Sequence, residues 1–161
     1  MRFLREYWQK LFDPNQRAVA YLARAFAADM PITLLIAAVV TWTIPDAAPR
    51  DIFKGDPLLM LLGFCLIAPF LETLMMRAVF AALRKFTQER YWLIFNSAII
   101  WSILHSMSAL GWGLGVLWPF VIFSVCYLTH EEKGKQRAFW MTTALHGLHN
   151  SVPALAYLAV S

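Results

Sequence analysis

Four side chains in the 161-residue chain have the chemistry of a hydrolytic site, Glu72, His105, His146 and Asn150, with His149 beside them as a supporting residue. All lie in runs otherwise apolar enough to cross a bilayer. An ionisable residue in such a run is costly and marks a functional site by default. The run from Pro57 to Leu83 carries only two charges, Glu72 and Arg77. His146 and Asn150 are four residues apart and His149 is three from His146, so all three can share one helix face. Thr73 and Arg77 are also four apart, whereas Glu72 and Arg77 are five apart and point about 140° away from each other. Arg77 is therefore read as a structural residue that snorkels toward the headgroups. A glutamate at this depth is a base for water. An imidazole would hold that water or share its proton, and His146 with Asn150 would supply donors for a developing oxyanion.

Helices must bring these groups together, and composition says which kind. With 60% hydrophobic and 15% charged residues and seven Trp, the chain has more apolar surface than a soluble domain of its size buries. The expected fold is an all-α integral membrane protein. Residues 1–17 form an amphipathic interfacial helix, with Phe3, Leu4, Tyr7, Trp8, Leu11 and Phe12 at helical spacing. Residues 18–161 form one transmembrane domain with five spans at about 18–44, 57–83, 91–110, 112–129 and 138–160. Asp29 and Arg24 are read as interfacial, Trp42 as an interfacial anchor, Pro45 to Asp56 as a loop, Gly111 to Gly115 as an uncharged turn and His130 as a loop residue. Cys65 and Cys126 match no metal or redox spacing and are read as small buried hydrophobes. The first seventeen residues lack the central apolar run of a cleavable signal peptide.

Five spans put the connectors alternately on two sides. Eleven basic residues then fall on one side, in the N-terminal segment and near residues 84–90 and 133–137, and two, Arg50 and Lys54, on the other. The positive-inside rule makes the N-terminus cytoplasmic and the C-terminus external, as expected for a bacterial inner-membrane protein. Counted from the cytoplasmic ends, Glu72, His105, His146, His149 and Asn150 share a layer roughly 12 to 20 Å deep. The basic residues sit in short loops, so a lipid bilayer is the expected partner and nucleic acid is not.

At these residues the chain resembles the CAAX-processing and bacteriocin-processing intramembrane proteases, the CPBP or Abi family. That family carries Glu-Glu-x-x-x-Arg, an aromatic residue with His four later, and His-x-x-x-Asn on separate spans. The matching stretches are Glu72-Thr73-Leu74-Met75-Met76-Arg77, Trp101-Ser102-Ile103-Leu104-His105 and His146-Gly147-Leu148-His149-Asn150. The resemblance covers about Pro57 to Val160. It implies an intramembrane endopeptidase with Glu72, His105, His146 and Asn150 as catalytic residues. Two departures stand out: Thr73 replaces the second Glu, and Trp101 stands where Phe is usual. The implied substrate is a membrane-anchored protein or peptide, and a C-terminal sorting or anchor peptide is preferred to a prenylated tail. No cofactor is required in this reading. Zinc on Glu72, His105 and His146 is the alternative, with His149 as an extra ligand, but it would tie up the base. Two other classes compete: a non-proteolytic membrane scaffold or immunity protein of the same fold, and a haem protein using His105 with His146 or His149. Oligomeric state is not readable from the chain.

Overall fold

The computed structural model describes residues 2–44, 47 and 56–160, and every regular element among them is helical. The helices are α1 (Arg2–Lys10), α2 (Ala18–Thr43), α3 (Pro57–Leu62), α4 (Ala68–Leu83), α5 (Arg90–Ser106), α6 (Leu110–Glu131) and α7 (Lys135–Val160). Among the described residues three rods are long and apolar enough to cross a membrane: α2, the continuous Pro57–Leu83 rod, and α6. Two expected spans fall outside that set. Helix α5 has only 17 residues. Helix α7 has 26, but its two Thr, two His and Asn lower its hydropathy, and four of these five are buried against other helices.

The packing forms a ring. Helices α4, α5, α6 and α7 each touch the next around a shared interior, and α2 lies outside the ring against α6 and α7. Glycines permit the closest approaches, as in helix pairs packed within lipid. A Cβ on Gly113 would sit 1.8 Å from Ser106 Oγ, and one on Gly111 2.5 Å from Ala47 Cβ. These glycines lie inside α6, which corrects the turn expected at Gly111 to Gly115; residues 107–109 make the turn instead. Ser102 Oγ donates to the Gly113 carbonyl at 2.8 Å, and Trp118 Nε1 to the Ala28 carbonyl at 3.2 Å.

A π-turn, Gly63–Ile67, joins α3 to α4. Asp56 caps the start of the rod, accepting the amides of Leu58 and Leu59 at 2.9 and 3.0 Å. Through the π-turn the Ala68 amide reaches back five residues to the Gly63 carbonyl. The next bond in that register would run from residue 69 to the Phe64 carbonyl, but Pro69 has no N–H to give.

The N-terminal segment is shorter as a helix than expected. After Lys10 the chain docks on the bundle instead of continuing the helix. Leu11 is fully buried, and its carbonyl accepts Tyr21 Oη at 3.0 Å and Thr129 Oγ1 at 3.1 Å. Trp8 stacks on Trp118, and Phe12 packs edge-on against Tyr91. The 84–90 and 130–137 connectors lie at the same end, tied by Arg84–Glu131 and Arg90–Glu132 pairs and by Arg137 reaching the Pro14 carbonyl. These basic connectors thus share one end of the bundle. Arg50, Lys54 and most of the 45–56 loop lie outside the described residues. His130 is no loop residue: it closes α6, is fully buried, and meets the Tyr21 ring edge-on at 4.3 Å.

Candidate functional site

Glu72 stands on α4 one turn beyond the π-turn, His105 near the end of α5, and His146, His149 and Asn150 on α7. The ring brings them together on one cavity of about 470 Å³, walled also by Phe64 and by residues of α2 and α6. Glu72 Oε2 lies 3.9 Å from His105 Nε2 and 3.9 Å from His146 Nε2. Those separations are too long for direct hydrogen bonds. Oε2 is buried with no hydrogen-bond partner among the described residues. A carboxylate oxygen in that state carries an unmet desolvation cost. One water between the three groups would satisfy it, since such a site offers several polar partners.

Backbone and aromatic contacts hold the imidazoles. His105 Nδ1 lies 2.8 Å from the Trp101 carbonyl. That acceptor requires the proton on Nδ1, so the neutral ring presents a lone pair on Nε2 toward Glu72. Trp112 meets the His105 ring edge-on at 5.0 Å, and Phe120 lies 5.3 Å from it. Phe123 stacks on His146 at 4.4 Å. Trp101, at the position where the family pattern has Phe, stacks flat on Phe120 with ring centres 4.7 Å apart. The indole therefore serves as a platform beneath the site.

Asn150 is already engaged. Its Nδ2 donates to the Phe64 carbonyl at 2.8 Å, the acceptor that Pro69 cannot serve. Asn150 thereby ties α7 to the π-turn, keeping one amide hydrogen for other use. Thr73 is buried, and its hydroxyl has no hydrogen-bond partner among the described residues. Arg77 is exposed, does not line the cavity, and forms no ion pair among the described residues.

Sequence reasoning missed one polar member. Asp29, expected at the interface, is fully buried, and its Oδ2 accepts a hydrogen bond from His149 Nδ1 at 2.6 Å. Its Oδ1 accepts from Thr33 Oγ1 at 2.8 Å. The correction has a geometric cause. Helix α2 runs unbroken from Ala18 through Pro31 to Thr43, which puts Asp29 roughly 16 Å along it, the depth of Glu72. Applying the same layer count to Asp29 would have found it. Phe120 and Phe123 were also missed, because apolar rings in an apolar helix carry no distinguishing signal.

The Glu72 spacings are wider than those of tetrahedral zinc ligands. Zinc bonds of 2.0–2.1 Å put neighbouring tetrahedral donors about 3.4 Å apart, closer than the Glu72 separations here. Among the described residues no group of three or more His, Cys, Asp or Glu is placed to hold a metal ion.

The model of the type II CAAX prenyl endopeptidase Rce1-like family matches residues 54–152, more than half of the chain. No curated protein and no solved structure matches it.

Proposed function

We propose that this chain, which belongs to the type II CAAX prenyl endopeptidase Rce1-like family, hydrolyses a peptide bond within the membrane by water activated at Glu72. The family is a protease family, and three helices are apolar enough to span a bilayer. The single observation that carries the reading further is the buried Glu72 Oε2, without a hydrogen-bond partner among the described residues and 3.9 Å from each of two imidazoles. In the proposed reaction Glu72 takes a proton from water, and His105 Nε2 orients that water. The water oxygen adds to the scissile carbonyl carbon. His146 and the remaining amide hydrogen of Asn150 stabilise the oxyanion. The full topology belongs to the same proposal: five crossing helices, α1 on the cytoplasmic surface and the C-terminus outside, in a bacterial inner membrane.

The substrate proposed is the C-terminal or membrane segment of a membrane-anchored protein, a sorting or anchor peptide in preference to a prenylated tail. The cavity supports this. Met30, Leu34, Ala37 and Val40 on α2, with Val152 and Ala156 on α7, extend an apolar wall away from the basic connectors, which suits an apolar segment in extended form.

A second reading, a non-proteolytic scaffold or immunity protein of the same fold, draws on Thr73: the position of the second Glu holds a buried hydroxyl with no partner among the described residues, and Arg77 is exposed. One experiment separates the two. Membrane-protein fragments are profiled by mass spectrometry in cells carrying wild-type protein or Glu72→Gln. Fragments present only with the wild type support hydrolysis; identical profiles refute it.

A further inference from the structure

The reaction proposed above has three proton-handling tasks, and Glu72, His105, His146 and Asn150 account for two of them. They activate water and steady the oxyanion. The third is to protonate the amine that departs when the C–N bond breaks, since an amide anion is too poor a leaving group to go alone. His105 bonds a neutral carbonyl through Nδ1 and gives its Nε2 to the attacking water, and Asn150 is tied to Phe64.

The Asp29–His149 pair is placed for that task. Asp29 is fully buried on the outer helix α2, and desolvating a carboxylate there is expensive unless it is well bonded. Its two oxygens are each met, one by Thr33 Oγ1 at 2.8 Å and one by His149 Nδ1 at 2.6 Å. His149 lines the same cavity as Glu72. With Nδ1 given to Asp29, Nε2 is its one uncommitted nitrogen among the described residues. His149 follows His146 by three residues, about 4.5 Å along the same face of α7. A peptide with its carbonyl at Glu72 and His146 would therefore run past the turn of α7 that carries His149, in the cavity both residues line.

We infer that His149, held by Asp29, is the general acid for the leaving amine. Asp29 is then a positioning residue that acts through His149. As water's oxygen bonds to the carbonyl carbon, its proton passes to Glu72. As the C–N bond breaks, the nitrogen takes the Nε2 proton of His149, which enters the cycle as the imidazolium paired with the Asp29 carboxylate; the ring is left neutral with Nδ1–H on Asp29, and the proton on Glu72 returns to Nε2 through water. The products are a carboxylic acid and an amine, with both side chains restored. The inference rests on the proposed hydrolysis.

The leaving group supplies the test. A quenched-fluorescence peptide cleaved by wild-type protein in proteoliposomes is prepared in two forms that differ only in the scissile bond, amide or ester. An alkoxide leaves without full protonation, so losing the acid should weigh on the amide. General acid catalysis contributes about 10²–10⁴-fold. His149→Ala is expected to slow amide cleavage by about a hundredfold or more and ester cleavage by less than about fivefold. The near-isosteric Asp29→Asn is expected to show the same bias at about tenfold. Glu72→Gln should abolish both reactions. Equal losses on amide and ester in both the His149 and Asp29 variants would overturn the acid role and leave a structural pair. Full cleavage by Glu72→Gln would instead overturn the hydrolytic reading beneath it.

Discussion

Gly147 is the point at which one methyl group should disturb both the fold and the site. It lies between His146 and Leu148 where α7 crosses the π-turn, and a Cβ there would stand 2.6 Å from the Cys65 carbonyl oxygen. The obstacle is backbone and cannot swing aside. Reaching an ordinary contact of 3.4 Å requires α7 and the π-turn to separate by about 0.8 Å. The Asn150–Phe64 hydrogen bond, 2.8 Å in the wild type, would open to about 3.6 Å and be lost. An interhelical bond of this kind contributes about 1 kcal/mol, and overpacking costs about 1–3 kcal/mol. Gly147→Ala should therefore destabilise the protein by about 2–4 kcal/mol. His146 rides on the same turn and would move away from Glu72, and a misplacement near 1 Å costs on the order of a hundredfold in rate. Unfolding by SDS from mixed micelles measures the first effect and peptide cleavage in proteoliposomes the second. Gly63→Ala is the matched control, because its methyl meets nothing within 4 Å. A Gly147→Ala protein within 0.5 kcal/mol and twofold of wild type would refute the tight crossing.

Two further outcomes are expected. Thr73→Val removes a buried hydroxyl without a partner and should leave stability unchanged or raise it by about 1 kcal/mol; a loss above that in the same SDS titration would show that the hydroxyl is bonded. Cleavage should continue after dialysis against a strong chelator, because the Glu72, His105 and His146 separations exceed those of a zinc site; activity that vanishes and returns with added zinc would reverse that conclusion.

The polar layer was legible in the sequence because lipid makes each of its members expensive. Glu72, His105, His146, His149 and Asn150 stood out against apolar neighbours, and the structure places them around one cavity. Asp29 was equally expensive but was discounted beside Arg24 and Pro31, which suggest a helix only just beginning. The helix runs through them, with Pro31 tolerated inside it. His130 was misjudged because a charged run reads as a connector, whereas the Arg84 and Arg90 pairs to Glu131 and Glu132 hold that end of α6 against its neighbours. Gly111 and Gly113 read as a turn, but their missing side chains serve helix contact. The Thr73 departure was visible from sequence; its burial, with Arg77 turned outward, was not.

The π-turn at Gly63–Ile67 also bears on how such chains are aligned. A π-turn holds one residue more than the α-helical path it replaces, a feature that recurs at functional sites. Everything beyond it is advanced by one position, about 100° of rotation, relative to α3. A helical wheel drawn straight through Pro57–Leu83 therefore assigns Glu72 to the wrong face with respect to Leu58 or Leu62. In a relative lacking the extra residue, the glutamate would keep its direction only if the numbering slipped by one. Gaps between such chains thus belong inside this apolar run, between Gly63 and Pro69, where alignment by hydropathy alone would never open one.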